Sequence, residues 1–308
     1  MGRSLRARAP ADPPGSSSPG SSDNLTSTAT VLEAVINISE GRDAPWLEAT
    51  AHSLACCVDL HLDADHHRSV FTLLGEPAEL EDDVRALVRG AVDHLDLRIH
   101  QGVHPRFGVV DVLPFVPLGS TTMTLAVELR ERISAWMAAE LAIPTFRYGP
   151  LPDGSLRSLP EVRRDAFNIL SPDAGPQVPH TTAGATAVGA RDVLVAWNIW
   201  LDGVDLEATR RVASMVRSSE VRTLGLAVGN TTQVSCNLVA PDRSTPAEVL
   251  DAVMRALAGT GTVRRCELVG LAPTSMLKVV PTSRWDELDL APERTIEAAA
   301  QGRGLTIR

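Results

Sequence analysis

The chain has 308 residues, 44% of them hydrophobic and 22% charged, with a formal net charge of -9. That length allows one large domain or two of ordinary size. The acidic balance argues against a nucleic-acid partner, which calls for a basic excess on one face, and no apolar run approaches membrane-spanning length.

Residues 1–28 are rich in Arg, Pro, Gly and Ser and hold no apolar stretch, so a disordered N-terminal arm is expected there. They carry no signal-peptide core, and a transit peptide is disfavoured by poor helical amphipathicity. VLEAVINI (31–38) reads as a strand, and Asp43 caps a helix with Pro45 in its first turn. VDLHLDA (58–64) alternates at period two and pairs with SVFTLLG (69–75) as a hairpin. Pro77 opens a helix to about Leu95, followed by a strand at 109–118, a helix at 121–142 and a strand at 144–149. After a Pro- and Gly-rich crossing at 150–190, a strand at 192–201 and a helix at 206–219 follow. A hairpin turns at Gly229-Asn230, Thr245 begins a capping box, and the last strand is at 263–271. The order β-α-β-β-α-β thus occurs twice, predicting an α+β chain of two tandem ferredoxin-like subdomains with a cleft between them. The expected bounds are 29–186, 187–285 and a C-terminal helix or tail at 286–308. Cys56, Cys57, Cys236 and Cys266 lack CxxC spacing and read as reduced thiols of a cytoplasmic protein.

Three stretches have side chains suited to chemistry. In HQGVHPRFG, Gly102 and Gly108 flank His104-Pro105-Arg106, and Asp111 follows on the strand. Proline restricts the backbone and glycine permits close approach to a ligand, so His104 could carry a proton near neutral pH. The plainer reading is a loop-capping histidine beside an arginine paired with a surface acid. In HLDADHHR, His61, Asp63 and Asp65 share one strand face. An exposed strand end, an acid network orienting a catalytic histidine, and a metal site that would include His67 are the three readings, in that order. The metal reading lacks a further histidine in fixed register. In DAGPQVPHTTAGATAVGAR (173–191), small residues dominate without a phosphate-loop pattern. A mobile linker and a backbone-lined groove for a flat heterocycle are the alternatives. Arg42, Arg68 and Arg106 are candidates for binding carboxylates, since the basic inventory is 28 arginines and the single Lys278.

Taken together, NISEGR (37–42), DADHHRSVFTLLGEP (63–77), GVHPRFGVVDVLPFVPL (102–118) and GATAVGARDVLVAWNI (184–199) resemble the formiminotransferase domain of the glutamate formimidoyltransferase family, over about residues 31–275. The resemblance implies two ferredoxin-like subdomains with the substrate groove between them. It implies transfer of a formimino group from N-formimino-L-glutamate to N5 of tetrahydrofolate, the co-substrate, in histidine catabolism and one-carbon metabolism. It places the catalytic histidine at His104, with Asp63 and, beside it, Asp65 as the supporting acids. The motif residues Asn37, Glu40, Gly41 and Arg42, with Arg68 and Arg106, become substrate-binding candidates. The folate-contacting segment maps to Gly175, Pro176, Gln177, Val178, Pro179, His180, Thr181, Thr182, Ala183 and Gly184. No metal, nucleic acid or membrane is implied, a homodimer is the implied assembly, and no cyclodeaminase part is expected. The chain departs from the family's animal members at Val103 and Ala183, where they carry glutamate and tryptophan, and it lacks their lysine-rich insertion after Ser219.

Overall fold

The computed structural model describes residues 3–6, by backbone alone, together with residues 30–102 and 106–307. Its first sheet has eight strands: β1 (Arg3–Arg6), β2 (Val31–Ile38), β3 (Cys57–Asp63), β4 (Arg68–Gly75), β5 (Val110–Leu118), β6 (Thr145–Pro150), β7 (Leu156–Arg157) and β8 (Thr186–Ala190). They lie in the order β1-β3-β4-β2-β5-β8-β6-β7. Helices α1 (Ala44–Ser53), α2 (Pro77–His94), α3 (Met123–Leu141) and α4 (Leu159–Asp165) connect them. The second sheet holds β9 (Val195–Asp202), β10 (Val221–Val228), β11 (Thr231–Leu238) and β12 (Thr262–Val269) in the order β10-β11-β9-β12. Its helices are α5 (Leu206–Val216) and α6 (Pro246–Leu257), and α7 (Thr274–Val279) and α8 (Ile296–Gly302) follow. The architecture is therefore α+β with two sheets. In each unit the β-α-β-β-α-β order returns, and its second, third, first and fourth strands lie side by side, each antiparallel to the next.

Local signals explain most boundaries. Asp43 accepts the amide of Trp46 and so caps α1. Thr245 and Glu248 bond each other's backbone N–H in a capping box, with Pro246 opening α6. On β3 the period-two alternation sends Leu60 and Leu62 into the main core beside Phe71, Leu80 and Leu113, while Asp59, His61 and Asp63 take the opposite face. Those three polar residues are nevertheless buried, so the strand is not an exposed end.

Two features differ from the sequence reading. The crossing at 150–190 is structured: it contains α4, whose capping box joins Ser158 and Glu161, and β8, which runs parallel to both β5 and β6. The small residues of β8 serve close packing. A Cβ at Gly189 would lie 2.1 Å from the buried Tyr148 ring, so only glycine lets that ring cover the strand. The first sheet thus reaches Ala190, and the expected boundary at 186 falls at the start of β8. The expected disordered arm contains β1, which pairs antiparallel with β3 from Arg3 opposite Leu62 to Arg6 opposite Asp59. It takes up the backbone groups that β3 would otherwise present at a sheet edge. The rest of the arm lies outside the described residues.

Helices α1, α2 and α3 cover one face of the first sheet. At one end of the other face, Val31, Leu74, Val116 and Leu118 pack against Ile296 and Ala300 of α8. Just beyond β12, Gly270 passes over mid-sheet, where an added Cβ would stand 3.3 Å from Thr72 Oγ1. At the far end, where β2 and β3 finish and β4 and β5 begin, the polar residues gather. Among the described residues no helix is long and apolar enough to cross a membrane, and all four cysteines are buried and unpaired.

Candidate active site

Three chain turns build this polar corner. The first follows β2. Glu40 Oε1 accepts the backbone N–H groups of Gly41, Arg42 and Asp43 at 2.9, 2.6 and 2.9 Å, which folds residues 40–43 into α1. Burial pushes the Glu40 carboxyl up, but the amides of Arg42 and Asp43 and the His67 imidazole outweigh it and hold it below the ordinary range. A Cβ on Gly41 would lie 2.1 Å from the Asp63 carbonyl oxygen and 2.5 Å from the Arg68 nitrogen. This glycine therefore lets the first turn press on the second. Arg42 is exposed and donates from Nε to the Ala64 carbonyl at 3.0 Å.

The second turn joins β3 to β4. Asp63 Oδ1 accepts the amides of Asp65 and His66 at 3.0 and 2.9 Å, and its Oδ2 meets His66 Nδ1 at 2.5 Å. Burial raises the Asp63 carboxyl, but hydrogen bonds and charge from His66 prevail and bring it down to about 2. The carboxylate thus holds the tautomer of His66, a buried imidazole next in the chain to the exposed Asp65. Arg68 donates to Asn37 Oδ1, from Nε at 3.0 Å and also from Nη2. Burial depresses Arg68 to about 10, with Asp111 and Asp63 opposing and the Arg163 charge assisting. Arg163, on α4, reaches Asp111 Oδ2 at 2.5 Å across 52 residues of sequence, while Asp111 Oδ1 accepts the Phe107 amide at 2.6 Å.

The third turn precedes β5. Arg106 donates to the carbonyls of His100 and Gly102 at 3.1 and 2.6 Å and also to His100 Nδ1. This guanidinium, a sequence candidate for a substrate carboxylate, thus ties the turn to itself. His104, with Val103 and Pro105, lies outside the described residues, so the corner is defined by its neighbours. The 180–185 segment runs beside this turn: Val109 N–H donates to Ala183 O at 2.9 Å, Ala185 N–H to Phe107 O at 3.1 Å, and Leu97 N–H to Thr182 O at 2.8 Å. A Cβ on Gly108 would lie 2.0 Å from Ala185 O, so that glycine is required by the contact. Within the expected folate segment, Gln177, Val178, Pro179 and Thr181 are exposed, whereas Ala183 and Gly184 are buried. His180 Nδ1 accepts the Ala183 amide at 3.0 Å and rounds off the turn.

The structure therefore brings Asn37, Glu40, Gly41, Asp63, Arg68 and Arg106 to one corner, with the 175–184 segment alongside. Sequence reasoning missed Arg163, which the unread α4 carries; the Ser158–Glu161 capping signature was its available signal. It also missed the Asp63–His66 pair, since no local pattern says which histidine of a His-His dipeptide turns inward. Among the described residues no three His, Cys, Asp or Glu side chains converge as metal ligands would.

Buried carboxylates, imidazoles and guanidiniums gathered at one corner of a two-sheet α+β frame mark a candidate active site. Comparison with known proteins gives the class. Residues 31–191 match the family model described as the formiminotransferase domain, N-terminal subdomain. The glutamate formimidoyltransferase of Streptococcus pyogenes serotype M1 is 32% identical over 275 residues, covering 81% of this chain and 91% of the relative. That of Thermoplasma acidophilum is 31% identical, covering 80% and 89%. The formimidoyltransferase-cyclodeaminase of Sus scrofa is 31% identical over 68% of this chain but 44% of its own length. The chain belongs to the formiminotransferase family and is a transferase of the glutamate formimidoyltransferase type.

Proposed function

We propose that the chain transfers the formimino group of N-formimino-L-glutamate to N5 of tetrahydrofolate, releasing glutamate and 5-formimidoyltetrahydrofolate, as a cytoplasmic step of histidine degradation. The observation that carries the reading is the hydrogen-bonded meeting of two distant motifs. Phe107–Val109, just after His104, lies against Ala183–Ala185, beside the corner that holds Glu40, Asp63 and Arg68. The names of the relatives supply the group transferred and the glutamate it is transferred with.

In this reading N5 attacks the amidine carbon, a tetrahedral adduct forms, and the bond from that carbon to the glutamate nitrogen breaks. One proton leaves N5 and one reaches the departing nitrogen. A single imidazole does both if it lies within hydrogen-bond reach of each nitrogen, and His104 is assigned that role. The Asp63 carboxylate, hydrogen-bonded to His66, is assigned to support that imidazole. Asp65, exposed on the same turn, remains a supporting acid. Arg68 and Arg163, two guanidiniums near Asp111, are assigned to the substrate carboxylates, and Arg42 to the outer rim. The exposed part of the 175–184 segment is assigned to the folate. No step requires a metal.

The test is incubation of the protein with formiminoglutamate and tetrahydrofolate, following free glutamate. Turnover is expected, and His104→Ala should lower it by about 10²–10⁴-fold while leaving the melting temperature unchanged. Wild-type turnover in that variant would remove His104 from the mechanism, and no turnover in the wild-type protein would remove the reaction.

A further inference from the structure

The His67 side chain has a place in the corner that the proposed chemistry does not use. Its Nδ1 donates to the Gln101 carbonyl at 2.6 Å, and its Nε2 lies 3.1 Å from both carboxylate oxygens of Glu40. Both ring nitrogens thus face oxygen atoms of neighbouring turns. The His67 ring also stacks on His100 with centroids 4.0 Å apart and 15° between planes. His100 Nε2 donates to the His67 carbonyl at 3.1 Å, and its Nδ1 accepts from Arg106. A Cβ on Gly102 would lie 2.6 Å from the His66 carbonyl oxygen and 2.9 Å from His67 Cβ, so this glycine lets the third turn sit directly on the second. His67 itself has φ of 52°, in the left-handed region that is uncommon for residues other than glycine.

We infer that His67, paired with Glu40, is a positioning residue: it clasps the segment from His100 to Gly102, which leads in sequence into the motif of residue 104. The same Glu40 carboxylate that folds the turn after β2 holds the imidazole, and the imidazole holds the turn before β5. Arg106 closes the far flank by binding the carbonyls of residues 100 and 102. Three chain turns separated in sequence are thus joined through one imidazole–carboxylate contact. Broken, the clasp would leave substrate binding in place but loosen residues 100–102, and a displacement of about 1 Å at a reacting centre costs on the order of 10²-fold in rate. The inference rests on the proposed formimino transfer, and its test separates the two.

The variants are His67→Asn, chosen because asparagine tolerates a left-handed backbone, and Glu40→Gln, whose amide oxygen can still accept the three backbone N–H groups while the charge is lost. Each is expected to lower kcat by about 10-fold or more with KM changed by less than about twofold. The double variant should be no slower than the slower single one, because both break the same clasp. Amide hydrogen exchange should quicken at residues 99–102 and 106–108 and stay at the wild-type rate in the second sheet. Wild-type kcat in either single variant, or independent, multiplying losses in the double one, would overturn the clasp. So would a lowered melting temperature with kcat intact, which would mark the pair as structural only. Should the wild-type protein transfer no formimino group, the proposed reaction fails. The exchange rates then decide the clasp alone: faster exchange confined to the third turn sustains it, and unchanged exchange ends it.

Discussion

Replacing Asp63 with asparagine isolates the charge on which the second turn is built. In the folded chain this carboxyl sits at about 2 rather than 3.8, because His66 and the backbone amide beside it outweigh the cost of burial. Each pKa step corresponds to about 1.4 kcal/mol, so the ionised carboxylate contributes roughly 2 kcal/mol to folding near neutrality. Its folded value lies below its unfolded one. The contribution is therefore complete above the unfolded value and is lost as pH falls through the folded one. The asparagine amide would keep an oxygen for the two backbone N–H groups but lose the charge that holds the imidazole, whose side chain is only 7% exposed. Urea unfolding should show Asp63→Asn less stable by about 2 kcal/mol at pH 7, with the gap narrowing to roughly half at pH 3. Equal stability at pH 7, or a gap that does not shrink in acid, would refute the assignment of this carboxylate to His66.

Glu33 behaves in the opposite sense. Burial, opposed by Arg191 and reinforced by Glu297, raises its carboxyl to about 7, so the folded chain loses stability as pH climbs from the unfolded value through 7, by roughly 3 kcal/mol in all. Glu33→Gln should therefore melt with the wild-type protein at pH 4 and above it at pH 8.5; a variant that gains nothing at the higher pH would contradict the burial argument. Gly41→Ala would force a Cβ to within 2.1 Å of the Asp63 carbonyl and should cost about 1–3 kcal/mol in urea unfolding. An alanine variant as stable as the parent would mean that this glycine serves a ligand and not the contact between turns.

Much of this architecture was legible in the residues. Alternation along 58–64 told which side chains of β3 would share a face, and Asp43, Pro77 and Thr245 marked helix starts through capping and proline geometry. Gly102 and Arg106, the described residues on either side of His104, lie at the polar corner. The unread α4 did carry a local signature, its Ser158–Glu161 capping box, but the unread strands β8 and β1 did not. In β8, Thr186–Ala190 alternates nothing, because the strand is buried on both faces between β5 and β6. The pairing of Arg3–Arg6 with β3 depends on a sheet edge more than fifty residues away.

By itself, then, the sequence determined most of the elements and the chemical groups available, since caps, turns and period-two faces depend on residues within a few positions of one another. The tertiary structure alone decided which group meets which. Asp63 turns to His66, Arg106 to the carbonyls of its own turn, Arg163 to Asp111 and Glu40 to His67. The reason is one of reach: a hydrogen bond forms only within about 3 Å, and which of several arginines, histidines or carboxylates comes within that distance is set by the packing of sheets and turns.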